Sequence, residues 1–461
     1  MLDRVSPGAT LRLREPDRGY DGAVRPALAR LAGSFRALRH RNFRLFLGGQ
    51  VVSLTGTWMQ QVALGWLVYR LTHSAFLLGL VGFAGQIPSL FVAPVAGVWA
   101  DRWNRHRMIV ATQALSMLQA LVLAGLVLTG TVRIGHVLAL SLFIGIVNAV
   151  DVPARQSFLV EMVSGREDLA NAIALNSSTF NAARLVGPSI AGAIIATAGE
   201  GVVFLLNGVS YAAVLAALLA MRLPPRPPLP QAAAPVWHNL REGVAYVTRF
   251  GPIRAILILL SLVSLTGAPY AVLMPVFAVD VLHGDAHTLG FLMGSIGVGA
   301  LCGALLLASR QTVRGLGRFI VASVSAFGAA LIAFSLSRSL WLSLVLVFFS
   351  GFGLMVHMAA SNTIVQTIVD DDKRGRVMSF YAAAFQGTMP LGSLLAGALA
   401  GRIGAPRTVQ LGGAACLLGA LAFARALPGI RAELRPIYVQ LGIIPEVATG
   451  LQTATEPATT R

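Results

Sequence analysis

Polar side chains interrupt several long apolar runs of this chain, and their chemistry could serve a function. Arg184 lies near the middle of the run 170–197, and Asn181 and Ser177 precede it by three and seven residues. This spacing places the three side chains on one face of a helix. Arg184 could contact an anionic or polar ligand or an acidic coupling group, or it could be a buried arginine held by neighbouring carbonyl groups. The sequence leaves both readings open.

Aromatic and amide side chains in other apolar runs could line the same cavity. These candidates are Trp58, Gln60, Gln61, Asn148 and Gln386. Consecutive residues of a helix point about 100° apart, so at most one of Gln60 and Gln61 needs to face the centre.

Two titratable residues lie at equivalent positions of an internal repeat described below. Asp151 could bind a ligand or a proton, but a structural role is favoured, and Arg155, one helical turn later, is one possible partner. His357 is the only histidine well inside an apolar run, and its titration range suits proton coupling. A lone helix histidine is more often a satisfied hydrogen-bonding residue, so both interpretations of His357 stay open.

The composition excludes a soluble protein. Of the 461 residues, 56% are hydrophobic and only 12% are charged, whereas soluble domains carry about 25% charged residues. The net charge of +17 lies in short segments between apolar runs, which is not the footprint of a nucleic-acid-binding protein. Cys302 and Cys416 lie inside apolar runs, so neither a disulfide framework nor a metal site is predicted.

The chain contains enough apolar sequence for about twelve membrane crossings, since one helix needs roughly 20 residues. The predicted spans are 45–69, 75–100, 107–128, 134–154, 170–197, 202–221, 254–278, 288–308, 319–337, 340–362, 377–400 and 406–427. Arginines concentrate in alternate connections, so the positive-inside rule places both termini in the cytoplasm. We therefore predict an all-α membrane protein of two six-helix bundles.

The connections divide the chain further. The predicted parts are an arginine-rich cytoplasmic arm (1–42), a first bundle (43–222), a cytoplasmic linker with an amphipathic helix near Trp237–Arg249 (223–250), a second bundle (251–428) and a cytoplasmic tail (429–461). A shift of 206 or 205 residues aligns glycines of the two bundles: Gly145 with Gly351, Gly187 with Gly392, and Gly192 with Gly397. Two such halves are typical of alternating-access carriers, whose substrate site lies between the halves.

A motif after the second span resembles the loop signature of the major facilitator superfamily. It contains Gly97, then Asp101 and Arg102 four and five residues later, then a basic cluster with Arg105. The resemblance implies a gating latch in which Asp101, Arg105 and Asp151 form a charge cluster, with Arg155 as an alternative partner. Asn104 stands where the family usually has glycine, which predicts a left-handed or strained turn.

Three further motifs narrow the resemblance. Asn148–Gln156, Gly187-Pro188 and Arg374–Ser379 are similar to the drug- and siderophore-efflux branch that contains the enterobactin exporter and macrolide efflux proteins. This implies a secondary active transporter of the bacterial inner membrane that exports a siderophore or an amphipathic drug, driven by the proton gradient. We expect a monomer with no cofactor and no metal, in contact with a small-molecule substrate and membrane lipid but not nucleic acid.

Other classes fit less well. No cluster of catalytic side chains and no phosphate-binding GxxxxGK[ST] loop is present, so we do not expect an enzyme. Transport of a lipid or lysolipid is the alternative within transport, and a non-transporting membrane scaffold is the alternative from another class.

Overall fold

A computed structural model of the protein describes residues 35–223, 244–310, 312–370 and 373–443. Within these ranges, the side chains of residues 93–95, 97–102 and 166 are left undescribed. All regular secondary structure in the described residues is helical, which confirms the predicted all-α class.

Six long helices form the first half. They are α1 (Arg41–Thr72), α2 (Ala75–Arg102), α3 (Arg105–Leu128), α4 (Ile134–Leu159), α5 (Arg166–Ala198) and α6 (Glu200–Leu219). A short 3₁₀ turn, Arg36–Arg39, precedes α1. In this half α1 packs on α5 and α6, α3 packs on α4 and α6, and α2 packs on α4.

From Gly251 onward, the second half contains seven α-helices of nine residues or more. They are α7 (Gly251–Leu262), α8 (Ala286–Ala308), α9 (Leu316–Leu336), α10 (Leu340–Ile368), α11 (Arg374–Ala382), α12 (Met389–Ile403) and α13 (Ala405–Gln440). α7 continues to Val281 through π and 3₁₀ turns and one short α-helical turn, Met274–Val276. Pro269 lies in a 3₁₀ turn of this continuation and Pro275 in the α-helical turn. A π turn, Ala383–Gly387, joins α11 to α12. Proline lacks the N–H of a regular helix, so α7 changes its hydrogen-bond pattern where the prolines occur.

Nine helices in the described residues are long and apolar enough to cross a membrane. The other three predicted spans, 45–69, 170–197 and 377–400, fall on α1, α5 and the α11–α12 pair. Polar side chains lower the mean hydropathy of α1 and α5, and the π turn Ala383–Gly387 divides the predicted span 377–400 into α11 and α12. The protein is therefore a multi-pass membrane protein, and the count of twelve spans stays a prediction.

The end of α13 differs from the predicted boundary at residue 428. The helix continues to Gln440 with Pro428 and Pro436 inside it. Leu427, Ile430 and Leu434 are buried at intervals of three and four residues, so one face of the extension stays packed on the second half. The first part of the predicted tail is thus a helical extension.

Other predicted boundaries are only partly described. Residues 1–34 of the predicted arm, most of the predicted linker (224–243) and residues 444–461 of the tail lie outside the described residues. Residues 244–249, at the end of the predicted amphipathic helix, are helical.

The aligned glycines make equivalent contacts in the two halves. A Cβ added to Gly145 of α4 would lie 2.6 Å from the Gly85 carbonyl oxygen of α2. Gly351 of α10 meets the carbonyl oxygen of Ile296 of α8 in the same way. Because no side chain fits at either position, the repeat found in the sequence holds α2 on α4 and α8 on α10.

The two ends of the bundle are named here by their connections. The basic end carries the α2–α3, α4–α5, α8–α9 and α10–α11 connections, and the distal end carries the other short connections. Two seams join the halves: the α5–α8 seam, with Gly192 against Gly290, and the α2–α12 seam, with Gly79 against Gly397. In each seam the paired glycines lie near the distal end of their helices, so the halves approach most closely there.

A side-chain hydrogen bond also joins the halves at the distal end. The hydroxyl of Tyr69, in the last turn of α1, donates to a carboxylate oxygen of Asp280, at the end of the α7 continuation. Deeper in the molecule, a Cβ added to Gly297 of α8 would lie 3.0 Å from the Cα of Leu185 on α5.

Candidate functional site

A cavity of about 340 Å³ lies between the two halves. The hydrogen-bonding side chains that line it all come from α1, α2 and α4 of the first half: Thr57, Gln60, Gln61, Gln86, Ser141 and Asn148. The residues that the second half contributes are all apolar: Ala271, Val272, Pro275, Leu289, Met293 and Met389. One wall therefore offers amide and hydroxyl groups and the facing wall offers only hydrocarbon and thioether surface.

The two neighbouring glutamines of α1 have different surroundings. Gln60 is buried; its amide nitrogen donates to Gln119 at 3.0 Å, and its amide oxygen accepts from Asn207 at 2.7 Å. These bonds tie α1 to α3 and α6. Gln61 is exposed and has no such bonds among the described residues, so it is the glutamine available to a ligand.

The other predicted cavity residues divide into two groups. Asn148 lines the cavity from α4, whereas Gln386, exposed on the π turn between α11 and α12, does not line it. Sequence reasoning missed Thr57, Gln86 and Ser141. Gln86 carried a usable signal, because it is an isolated amide inside an apolar run.

The cavity lining includes no residue of α5 and does not include Trp58 of α1, so the predicted cavity residues Ser177, Asn181, Arg184 and Trp58 lie outside it. Arg184 lies over the Trp58 ring. Its guanidinium carbon is 5.6 Å from the centre of the Trp58 ring, and that ring meets the edge of Phe180 at 5.5 Å. No carboxylate and no hydrogen-bond acceptor pairs with Arg184 among the described residues. This part of α5 faces the second half, because a Cβ added to Gly297 of α8 would lie 3.2 Å from the Arg184 carbonyl oxygen.

Asn181 and Ser177 lie on the same face of α5 as Arg184, and a hydrogen bond within the helix already engages Asn181. The Asn181 amide nitrogen donates to the backbone carbonyl of Ser177 at 2.9 Å, and Ser177 itself is exposed. A buried arginine held by carbonyl groups was the alternative reading of Arg184, and no such carbonyl contact is present in the described residues. The charge of Arg184 is therefore available for a ligand.

Asp151 belongs to a structural ion pair. It is 1% exposed and accepts from Arg155 one turn later, from Thr112 at 2.6 Å and from Gln113 at 2.9 Å. Arg155 also donates to Gln50 of α1 at 2.8 Å. The favoured structural interpretation of Asp151 agrees with this network, which ties α4 to α3 and α1.

The predicted latch is only partly visible. Gly97, Asp101 and Arg102 lie in the last turns of α2, where side chains are outside the described set. Arg105 donates to Glu161 at 3.0 Å, whereas Asp151 is bound by Arg155. Among the described side chains Arg105 therefore pairs with Glu161, a partner that the sequence reasoning missed, and the predicted cluster with Asp101 stays a prediction.

The prediction for Asn104 was wrong. Asn104 has an extended backbone, with φ −68° and ψ 107°, and it is the N-cap of α3. Its side-chain oxygen accepts from the Arg107 backbone N–H at 3.1 Å. A capping asparagine needs this extended conformation, so the turn is neither left-handed nor strained.

His357 is fully buried in α10 and is not among the residues that line the cavity. Its Nδ1 lies 3.4 Å from the Ser361 hydroxyl, and its Nε2 has no partner among the described residues. A role in proton coupling stays a prediction. The described side chains also contain no group of three His, Cys, Asp or Glu residues that could hold a metal ion.

Two packed helical halves around a central cavity, joined by glycine seams at one end, define a membrane transporter of the major facilitator type. The fold is similar to that of a solved bacterial homologue of the human lysosomal transporter Spinster, in an inward-facing and unoccupied conformation, which superimposes with a TM-score of 0.60 at 16% identity. That match covers 89% of this chain and 99% of the solved chain, and it shows the fold alone.

The sequence comparison gives the family. A family model described as transmembrane secretion effector matches residues 32–441, so the chain belongs to that family of the major facilitator superfamily. It is similar to the staphyloferrin A transporter of Staphylococcus aureus (strain NCTC 8325 / PS 47), with 28% identity over 373 residues, covering 80% of this chain and 92% of that protein.

A second relative is the multidrug efflux pump Tap of Mycolicibacterium fortuitum. It is 28% identical over 373 residues, which are 78% of this chain and 89% of that protein. The predicted resemblance to the drug- and siderophore-efflux branch is confirmed. The family and these relatives are transporters, not enzymes.

Proposed function

We propose that this protein exports a siderophore or an amphipathic drug with a polar or anionic part, by alternating access driven by the proton gradient. The observation that carries the proposal is Arg184, a cation in the middle of a membrane helix with no counter-ion among the described residues. The names of the relatives, a staphyloferrin A transporter and a multidrug efflux pump, support the same two kinds of cargo.

The two-sided cavity supports an amphipathic cargo. A solute with hydrogen-bonding groups on one side could bind the amides of Gln61, Gln86 and Asn148. Its apolar side would then lie on Val272, Met293 and the other apolar groups of the second half, described above. A purely polar solute would leave that wall unused, and a purely apolar solute would cover these amides without giving them hydrogen-bond partners, at a cost.

The charge of Arg184 favours cargo with an anionic group. Placing an arginine near the bilayer centre costs at least about 2.5 kcal/mol on insertion scales, so such a residue is retained for a role. A carboxylate, catecholate or hydroxamate oxygen would pair with the guanidinium and gain a charge-assisted hydrogen bond of about 1.5–3 kcal/mol.

The closed distal end determines which side of the membrane has access to the cavity in this state. If the basic end faces the cytoplasm, as the positive-inside rule predicts, the seams seal the outer side while the cavity can be reached from the inside. In this proposal the protein is a monomer of the bacterial inner membrane with both termini cytoplasmic. Cargo binds from the cytoplasm, and the seams then open as the basic end closes.

Transport by the purified full chain in proteoliposomes tests the proposal. Two probes are used, a tricarboxylate siderophore as the anionic cargo and ethidium as a cationic amphiphile, each with and without an imposed pH gradient. We expect the wild-type chain to move the siderophore only when the gradient is present. Arg184→Ala should reduce siderophore flux by about tenfold to a hundredfold, from the loss of one charge-assisted contact, and Arg184→Lys should retain part of it.

Arg338→Ala provides the matched control, because Arg338 lies in the α9–α10 connection at the distal end. Its flux should equal that of the wild type. Full siderophore export by Arg184→Ala would show that the site assignment is wrong. Movement of neither probe by the wild type would refute the function itself, and flux that persists after a protonophore is added would refute proton coupling.

A further inference from the structure

A second cavity, of about 510 Å³, lies within the second half at the basic end. Its apolar lining comes from α7, α10 and the α13 extension, and includes Ile256, Ile364, Phe423, Leu427 and Leu434. Four arginines stand around it: Arg314 and Arg318 at the start of α9, and Arg431 and Arg435 on the α13 extension. The cavity is separate from the one between the halves, and no residue lines both.

The arginines lie at the depth of lipid headgroups. α13 begins at Ala405 at the distal end, and Arg431 follows 26 residues later, about 39 Å along the helix axis. The hydrocarbon core of a bilayer is about 30 Å thick, and about 40–45 Å with its headgroups. α9, with 21 residues, is about 31 Å long and has Arg314 just before its first turn. Both pairs of arginines therefore lie just outside the hydrocarbon.

The positive charge around this cavity is not compensated within the described residues. All four arginines are exposed, and none forms an ion pair with a described carboxylate. Glu433 is the acidic residue nearest in sequence to the α13 pair. Its carboxylate lies against the start of α7, where a Cβ added to Gly251 would be 2.8 Å from either oxygen. The cavity thus combines four positive charges with an apolar floor, formed by the hydrophobic side chains of α7, α10 and α13 that line it.

The start of α9 adds to the attraction for an anion. Gly315 begins this helix with φ +82°, and no side chain caps it. The positive end of the helix dipole faces the same region as Arg314 and Arg318, although the N–H groups of Leu316 and Arg318 donate to backbone carbonyls. This contribution is secondary to the arginines, which carry full charges.

We propose that this cavity binds one anionic phospholipid, with its phosphate between the α9 arginines and the α13 arginines. The upper carbons of its acyl chains then lie on Phe423, Leu427 and Ile256. A free phosphate would use the arginines but not the apolar floor, and a zwitterionic lipid would bring its own cation beside four others. The bound lipid bridges the start of α9 to the α13 extension and holds the extension on the second half.

Native mass spectrometry of the purified full chain tests this site. Delipidated protein is mixed with phosphatidylglycerol or with phosphatidylcholine of the same acyl chains. We expect the wild type to retain phosphatidylglycerol at least about tenfold better, as expected for several arginines at a charged interface. The double variant Arg431→Gln/Arg435→Gln should lose this preference. The control is Arg425→Gln, an exposed arginine of the same helix that does not line the cavity.

Four outcomes would overturn the proposal. Equal retention of the two lipids by the wild type would show that charge does not select the ligand. An equal loss in Arg425→Gln would assign the effect to general surface charge. Competition by millimolar inorganic phosphate as effective as that by phosphatidylglycerol would make this a free-anion site. Several-fold higher phosphatidylglycerol binding by a chain ending at Ile443 would identify the chain's own tail as the occupant. Thermal melting of each variant in detergent verifies that it is folded.

Discussion

The α5–α8 seam provides the sharpest test of the two-state mechanism. Replacing Gly192 with alanine adds one methyl group, whose carbon would lie 2.8 Å from the Cα of Gly290 and 2.9 Å from the Ala286 carbonyl oxygen. Ordinary carbon contacts begin near 3.5–4.0 Å, so the helices must separate by about 1 Å. Backbone atoms form the obstacle, and no side-chain rotation can relieve the contact.

This steric contact raises the free energy of one conformational state only, the state in which the distal end is closed. Overpacking by a single carbon typically costs about 1–3 kcal/mol. The seam is closed in the structure described here and opens in the alternate state, so the energy enters the equilibrium between them. A change of this size shifts the population ratio about 5- to 150-fold toward the state with an open distal end. Alanine's better helix propensity acts equally on both states and cancels.

Pulsed dipolar electron paramagnetic resonance measures that population directly. Spin labels are attached to Thr131→Cys in the α3–α4 connection and Ser339→Cys in the α9–α10 connection, in a background without Cys302 and Cys416. Both positions are exposed at the distal end, one on each half. We expect Gly192→Ala to add or enlarge a population at longer distance.

Two further glycine variants complete the experiment: a control in which the new methyl group has space, and the variant at the repeat-equivalent glycine. Gly125→Ala in α3 places its new methyl group where no atom lies within 4 Å, so its distance distribution should equal that of the wild type. Gly397→Ala, at the repeat-equivalent position, would meet Gly79 at 2.8 Å and should act in the same direction as Gly192→Ala. If Gly192→Ala leaves both the distances and the transport rate unchanged, then the seam does not control the distal end.

Two further predictions concern side chains at the ends of the bundle. Tyr69→Phe removes the hydrogen bond to Asp280. Because Asp280 is exposed, we expect the closed state to lose only about 1 kcal/mol of stability, which makes the long-distance population of the same labels about fivefold larger. An unchanged distance distribution would contradict this. At the basic end, hydrogen bonds from His40 and Arg39 hold the pKa of Asp168 below its usual value. The stability that the ionised Asp168 contributes to the fold is therefore complete above about pH 4 and is lost as the pH falls below that value. Asp168→Asn should thus lower the melting temperature at pH 7, and the difference in melting temperature from the wild type should shrink near about pH 3. A difference that does not change with pH would count against the ion pair.

Some features of the site could be predicted because they depend on local spacing. Ser177, Asn181 and Arg184 share a face of α5 in the structure as their spacing requires. The i+4 pair of Asp151 and Arg155, the alternative to a pairing with Arg105, follows from the same helical geometry. Such predictions need only the periodicity of one helix.

Other features depended on partners distant in the sequence. Gln60 and Gln61 look alike in the sequence, and only the positions of Gln119 and Asn207 decide which of them is available to a ligand. Glu161 replaces Asp151 as the described partner of Arg105 because of how α3 and α4 pack. The extension of α13 past Pro428 also required knowledge of the surface that buries Leu434.

The sequence by itself determined that this chain is an all-α membrane protein built from a repeat, because hydropathy and glycine spacing are properties of single helices and of their alignment. It also identified Arg184 as an unusual intramembrane charge. Only the tertiary structure decided that polar groups line one wall of the cavity and apolar groups the other, and that the glycine seams close one end. Those properties arise between helices that are distant in the sequence, where packing sets which side chains meet and which remain without a partner.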